Sequence, residues 1–279
     1  MLSTIKKQLV LAFMLLTGSS VMAQKGSLFI IGGGDRSPEL IQSLIKTANM
    51  GTKDYMIVLP MSSEEPEASY QAIKKQLTLA SGNNIGCLNF DASKVKDQKW
   101  LDSLTNAKLI FITGGDQSRF MKVVLHTPVY SAIHKAYQNG ATVAGTSAGA
   151  AVMSKQMITG KQLLDTVYKE TFNKLWAGNI QFEEGMGLLD SVIIDQHFLK
   201  RSRFNRLISA LTAYPNYQCI GIDEGTAIIV KRKKITVAGV SQVLRISDPK
   251  NLKIKGQHLI KMDDLRFSLY TSGDQFSLK

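Results

Sequence analysis

The chain has 279 residues, 44% of them hydrophobic and 20% charged, with a formal net charge of +12 at pH 7. Its two cysteines exclude a disulfide framework, and its four histidines form no metal-ligand cluster. The positive excess is dispersed except for Lys231-Arg232-Lys233-Lys234, which has no interleaved aromatics. That run reads as a solvated hairpin end rather than a nucleic-acid surface, and the positive charge leaves attraction to acidic substrates open.

In chain order, Lys6 and Lys7 precede an uncharged apolar run, Leu9 to Leu16, and Val21-Met22-Ala23 fits a small-residue cleavage site. This predicts a secretory signal peptide over 1–23, with cleavage near Ala23. The expected product is a secreted or periplasmic single domain, 24–279. The apolar run is too short to span a bilayer, so no stable membrane insertion is expected after cleavage. Ser27 to Ile31 is a strand running into Gly32-Gly33-Gly34-Asp35, with Ser37 and Pro38 opening a helix. The glycines fit only part of a dinucleotide fingerprint, because its third glycine position is Ser37, and that reading is rejected. Strands follow at Tyr55 to Leu59, Ile85 to Phe90 and Lys108 to Ile112. Helices are predicted at Glu64 to Ala80, Asp97 to Leu104, Ser118 to Leu125 and Pro128 to Tyr137.

Ala141 to Ala144 is a short buried strand, followed by Gly145-Thr146-Ser147-Ala148-Gly149 and the start of a helix. A serine between two glycines on a strand-to-helix corner matches the nucleophile elbow. Ser147 then projects at the carboxyl end of a strand, where open α/β sheets bind ligands. The Ala148 N–H can face a developing oxyanion. Lys155 to Glu184 is more polar and less regular. It is expected at the surface as a lid, with a helical patch around Leu163 to Trp176. Val192 to Ile194 is a strand ending in Asp195-Gln196-His197, Arg203 to Ala213 a helix, and Tyr217 to Gly221 a strand leading to Asp223-Glu224. Thr226 to Val230, Lys234 to Val237 and Gln242 to Ile246 are short strands without helices between them, expected as antiparallel additions at one sheet edge. His258 falls in a polar tail. Apolar strands alternating with helices predict a parallel sheet covered on both faces. Both cysteines, Cys87 and Cys219, lie in apolar strand-like stretches and are expected as buried thiols, with a single bridge between them left open in an oxidising compartment.

Polar clusters thus sit at the ends of several apolar strands. Ser147 needs a base and an acid to orient it. His197 alone among the histidines directly follows a buried strand and is the candidate base. Asp223 or Glu224 is the candidate acid, and Gly115 a second oxyanion donor. The order serine, histidine, acid differs from that of α/β-hydrolases. Arg201, Arg203 and Arg206 point in different directions on one ideal helix, so they converge only if Arg201 lies in the preceding loop. Beside a strand-end histidine they favour a carboxylate-binding pocket.

Gly-Thr-Ser-Ala-Gly-Ala at 145–150, Gly-Gly-Asp-Gln at 114–117, Asp-Glu-Gly-Thr-Ala at 223–227 and the run from Gly185 to Leu207, with Asp-Gln-His-Phe followed by R-x-R-x-x-R-L, resemble the cyanophycinases. These are serine peptidases related to the aspartyl dipeptidases, on a three-layer α/β/α fold like that of class I glutamine amidotransferases. They cleave cyanophycin, a polyaspartate with arginine-substituted side chains, to β-Asp-Arg dipeptides. The resemblance implies Ser147 as nucleophile, His197 as base and Glu224 as its partner, with Gly115 and Ala148 as oxyanion donors. It implies Gln117, Asp195, Gln196, Arg201, Arg203 and Arg206 as the substrate pocket. No metal or organic cofactor is expected. The expected partner is a peptide or cyanophycin-like polymer, and a homodimer is left open. The rivals are an aspartyl or isoaspartyl dipeptidase with the same machinery and a non-catalytic binding protein.

Overall fold

The computed structural model describes residues 26–164 and 174–279. The expected signal peptide over 1–23 lies outside the described residues. Strands β1 (Ser27–Ile31), β2 (Tyr55–Leu59), β3 (Asn84–Cys87), β4 (Leu109–Ile112) and β5 (Thr142–Thr146) alternate with helices α1 (Pro38–Ala48), α2 (Pro66–Ala80), α3 (Gln98–Thr105), α4 (Gln117–Val124) and α5 (Pro128–Gln138). Local chemistry sets several helix starts. The Ser37 hydroxyl accepts the Leu40 N–H at 3.3 Å, with Pro38 in the first turn. Asp97 accepts from Trp100 N–H at 3.2 Å, and Asp116 from Ser118 N–H at 2.7 Å. Each cap satisfies a donor that the helix itself cannot. Beyond β5 come α6 (Ala148–Ala151), β6 (Gln156–Gln162), β7 (Ile180–Glu184), β8 (Val192–Gln196), α7 (Phe204–Ala213) and β9 (Gln218–Ile222). The chain ends with β10 (Thr226–Lys231), β11 (Lys234–Gly239), β12 (Val243–Lys250), β13 (Lys253–Lys255), β14 (Leu259–Lys261), β15 (Asp264–Tyr270) and β16 (Gln275–Ser277).

The main sheet has eight strands in the order β16-β11-β10-β1-β5-β4-β2-β3. β1, β5, β4, β2 and β3 are mutually parallel, and β10, β11 and β16 extend the sheet antiparallel beyond β1. This is the α/β architecture expected, with the antiparallel edge where it was expected. The sheet does not, however, continue through β8 and β9. These two pair parallel with each other and join β12 and β15 in a separate four-stranded sheet, β15-β12-β9-β8. β12 therefore does not belong to the main-sheet edge.

Side-chain alternation explains how both sheets serve one interior. Leu28 and Ile30 of β1 face the same core as Ile194 of β8 and Ile220 and Ile222 of β9. Phe29 and Ile31 face Leu40, Ile41 and Leu44 of α1 and Ile73 and Leu77 of α2. On the far side of the small sheet, Ile193, Cys219, Leu244 and Ile246 pack against Leu207, Ala210 and Leu211 of α7.

Other departures are local. β6 and β7 form an antiparallel pair where an irregular lid was expected, and the expected helical patch falls largely at 165–173, outside the described residues. The expected polar tail holds β13 to β16, because alternation there is short and largely exposed. The basic run forms the exposed β10–β11 turn. Cys87 is half-buried in β3 and Cys219 buried in β9, both as free thiols. Burial and nearby Glu67 push the Cys87 thiol up to about 11.

Candidate active site

Ser147 stands at the corner between β5 and α6 with φ 53° and ψ −108°. Its N–H donates to Ile31 O at 3.1 Å, tying the corner to the end of β1. Strain of this kind persists only where the surroundings over-determine it. Here they do: a Cβ on Gly149 would stand 3.0 Å from Thr113 O, and one on Gly145 would run into Gly149 O. The elbow glycines are therefore required by the close approach of helix and sheet.

His197 directly follows β8, also at positive φ, 48°. Its N–H donates to Gly32 O at 2.7 Å, across the gap between the two sheets. The imidazole Nε2 lies 2.8 Å from Ser147 Oγ and Nδ1 2.6 Å from Glu224 Oε1. An ionised carboxylate only accepts, so Nδ1 carries the proton and donates to Glu224, and Ser147 Oγ–H donates to Nε2. The imidazole is 12% exposed and the Glu224 side chain 31%. Burial pulls the His197 pKa below its ordinary 6.5; Arg201 and Arg203 add to that, and Glu224 opposes it. A neutral imidazole facing a hydroxyl is a general base in waiting.

Of the two candidate acids, the geometry brings only Glu224 to the imidazole. Asp223 accepts from Lys200 N–H at 2.9 Å and from Ser241 Oγ at 2.7 Å, which fixes the loop after β9. Gly114 adjoins the serine, since a Cβ on it would stand 3.5 Å from Ser147 Cβ. Among the described residues, no hydrogen bond engages the N–H of Gly115 or of Ala148. Ala148 directly follows the nucleophile and Gly115 follows Gly114, and a backbone N–H left without a partner is the kind of donor a developing oxyanion requires.

The remaining expected pocket residues divide. Gln117 donates through Nε2 to Ile158 O and Thr159 O at 2.8 and 2.7 Å, anchoring β6 to α4. Arg201 and Arg203 lie in the turn before α7, as convergence required, and Arg201 is half-buried beside His197, donating its N–H to His197 O at 3.0 Å. Arg203 donates to Gln196 O at 2.6 Å and also to Gln196 Oε1. Asp195 and Arg206 are paired with each other rather than opened to a ligand. Arg206 Nε donates to Asp195 Oδ2 at 2.8 Å and Nη2 to Oδ1, with the Asp195 side chain wholly buried. This corrects the expectation that the three arginines line one pocket. Arg206 lies in the first turn of α7, and its guanidinium is consumed by the carboxylate at the end of β8.

Gly33 and Gly34 belong to the glycine run whose dinucleotide-binding reading the sequence already rejects. In the structure they are the floor of the site. A Cβ on Gly33, at φ +110°, would stand 2.5 Å from His197 Nε2, and one on Gly34 would stand 2.7 Å from Glu224 Cβ. The signal was a glycine run at a strand end, which marks close approach of any group and not only of a phosphate. Among the described residues, no three His, Cys, Asp or Glu side chains gather where a metal ion could be held.

Residues 28–238 match Peptidase family S51, which is more than half of the chain. The chain belongs to that family. It is a serine-type peptidase. It is 29% identical to the cyanophycinase of Trichormus variabilis over 275 residues, covering 92% of this chain and 87% of the relative. It is also 29% identical to that of Geminocystis herdmanii, covering 91% and 94%. Among solved structures it resembles a peptidase from an acI-B1 Actinobacterium, with TM-score 0.67 and 22% identity over 92% of this chain and 98% of that one. It also resembles a putative peptidase E protein from Listeria monocytogenes, with TM-score 0.55 and 17% identity over 78% and 100%. At these identities the structural likenesses speak for the fold, which is of the class I glutamine amidotransferase kind.

Proposed function

We propose that the chain is a cyanophycin-cleaving serine peptidase in which Ser147, His197 and Glu224 act as one relay. The observation that carries this reading is the unbroken chain from Ser147 Oγ to His197 at 2.8 Å and from His197 to Glu224 at 2.6 Å. Ser147 Oγ attacks the scissile carbonyl as its proton passes to His197 Nε2. Glu224 holds the ring in the required tautomer and stabilises the imidazolium that forms. The carbonyl oxygen, now negative, takes hydrogen bonds from Gly115 and Ala148. Collapse of the tetrahedral species expels the leaving amine, which receives the proton from His197. Water, deprotonated by the same imidazole, releases the acyl group and regenerates the serine.

Cyanophycinase relatives over most of the chain support the polymer as substrate, with β-Asp-Arg dipeptides as product. Arg201, half-buried beside the imidazole, is the side chain best placed to meet a substrate carboxylate. The buried Asp195–Arg206 pair takes one arginine away from that pocket. This favours a second reading, an aspartyl dipeptidase on the same machinery. The sequence of residues 1–23 supports export to the periplasm or beyond.

The test is to incubate the protein with cyanophycin and with free β-aspartyl dipeptides and identify the products by mass. β-Asp-Arg released from polymer, with none from Ser147→Ala, is expected. Cleavage of free dipeptides alone moves the assignment to the second reading. Polymer cleavage by Ser147→Ala at the wild-type rate overturns the mechanism.

A further inference from the structure

The turn that carries Gly115 is held from outside. After β2 the chain from Pro60 to Glu65 crosses over the turn between β4 and α4. Ser62, wholly buried, lies against Gly115, whose φ is +133°. A Cβ on Gly115 would stand 2.6 Å from the Ser62 carbonyl carbon and 3.0 Å from Ser63 Cα. The Ser62 carbonyl accepts two hydrogen bonds, one from Asp116 N–H at 2.8 Å and one from Arg119 Nη1 at 3.0 Å. Arg119 Nη2 reaches Glu64 Oε1 on the same strap at 2.7 Å. Asp116 closes the arrangement by accepting the Arg119 N–H at 3.1 Å as the cap of α4.

We propose that Arg119 is a positioning residue for acyl transfer: through the Ser62 carbonyl it fixes the Gly115–Asp116 peptide and, with Ser62 packed against Gly115, the adjoining Gly114–Gly115 peptide, so that the Gly115 N–H faces the oxygen of the reacting carbonyl. The proposal rests on the reading of Ser147 as nucleophile and Gly115 as oxyanion donor. The physical need is specific. Glycine reaches positive φ at no steric cost but has no intrinsic preference for it, so the turn's own residues do not select one orientation of the peptide. An oxyanion donor accelerates reaction only if it is already oriented when charge develops. The strap supplies that orientation. Its carbonyl takes a charge-assisted bond from the Arg119 guanidinium, and the exposed pair with Glu64 adds little, so it is the Ser62 contact that gives the bond to Asp116 N–H a fixed acceptor. None of the hydrogen bonds of Arg119 reaches Ser147, His197 or Glu224. Losing Arg119 should therefore slow acyl transfer without altering the titration of the base.

The experiment measures p-nitrophenyl acetate hydrolysis and the rate of inactivation by a fluorophosphonate, per titrated active site, in wild type, Ser147→Ala, Arg119→Ala and Arg119→Lys. Loss of a whole oxyanion donor costs about 10²–10³ in kcat, so Arg119→Ala, which loosens one, should lose at least about tenfold. KM should change by less than about threefold, and the acid limb of the pH–rate profile should stay at its wild-type position. Arg119→Lys keeps a single donor for Ser62 and should fall between the two. Wild-type acyl-transfer rates in Arg119→Ala overturn the proposal, as does a loss that comes with a moved acid limb. Where Arg119→Ala does not fold, Arg119→Lys decides, and an unchanged rate in it overturns the proposal. Ester hydrolysis retained by Ser147→Ala would instead bring down the nucleophile reading beneath it, whatever Arg119 does.

Discussion

Replacing Gly33 with alanine asks whether the imidazole of His197 stands where it does because nothing occupies the floor beneath it. The added methyl would lie 2.5 Å from Nε2 and 2.8 Å from Nδ1, whereas ordinary contact begins at 3.4 Å. Backbone cannot absorb the difference easily, since Gly32 on one side receives the His197 N–H at 2.7 Å. Cε1 lies closer still, so the ring must shift by about 1 Å to regain ordinary contact, which spoils the alignment of Nε2 with Ser147 Oγ. A misplacement of about 1 Å costs roughly 10²-fold in rate, and that is the expected loss. Alanine at φ +110° also carries backbone strain of about 1–3 kcal/mol. Gly273→Ala separates the two effects, because Gly273 has φ +91° with no atom within 4 Å of the added Cβ. Both variants should lose thermal stability, and only Gly33→Ala should lose fluorophosphonate labelling of Ser147 per folded molecule. Labelling of Gly33→Ala within about threefold of wild type would refute the reasoning.

Two further predictions concern charge. Because burial, Arg201 and Arg203 hold His197 below 6.5, the base stays neutral into mildly acidic solution, and activity should fall only as pH drops through that lowered value. Arg201→Gln removes one of the lowering charges, so its acid limb should move to higher pH. An unmoved limb would mean that Arg201 does not act on the ring. The linkage has a matching sign. Below about 6.5 the unfolded chain binds a proton that the native imidazole resists, so stability should decline as pH falls through that window. Arg206→Met leaves the buried Asp195 carboxylate short of its main partner and should cost about 3–5 kcal/mol in denaturant melts. Full stability with weakened substrate use would instead return Arg206 to the pocket.

Much of the site could be read from the chain because its signals are local. The Gly-Thr-Ser-Ala-Gly corner needs only strand, turn and helix in succession, and Ser147 sits on that corner. His197 could be ranked above the other histidines because Val192 to Ile194 is a buried apolar run. The choice between Asp223 and Glu224 was of a different kind. Alternation puts neighbouring side chains on opposite sides, but which side faces the histidine depends on a second strand. Arg206 failed for the same reason. Its partner, Asp195, lies on another element, and spacing along one helix carries no knowledge of it. The division into two sheets was also invisible, since β8 and β9 have the same apolar, helix-separated pattern as strands of the main sheet.

That division explains how the serine, histidine, acid order works. β8 and β9 are parallel neighbours with Gln196 opposite Ile222, so the residues just beyond them, His197 and Glu224, emerge side by side from one sheet. Ser147 emerges from the other sheet, beside β1, where Ile31 pairs with Thr146. The imidazole–carboxylate contact is thus set within one sheet, and the imidazole–hydroxyl contact between two. Gly32 to Gly34 occupy that junction. Gly32 passes against the carbonyl of Asp223 and accepts the His197 N–H, and Gly33 and Gly34 leave room for the two side chains. A chain of three groups built across two sheets needs its registers fixed at one point, and a run without side chains lets two strand ends approach this closely. The glycine run after the first strand therefore sets the same distance that the elbow does, from the other side of the hydrogen bond.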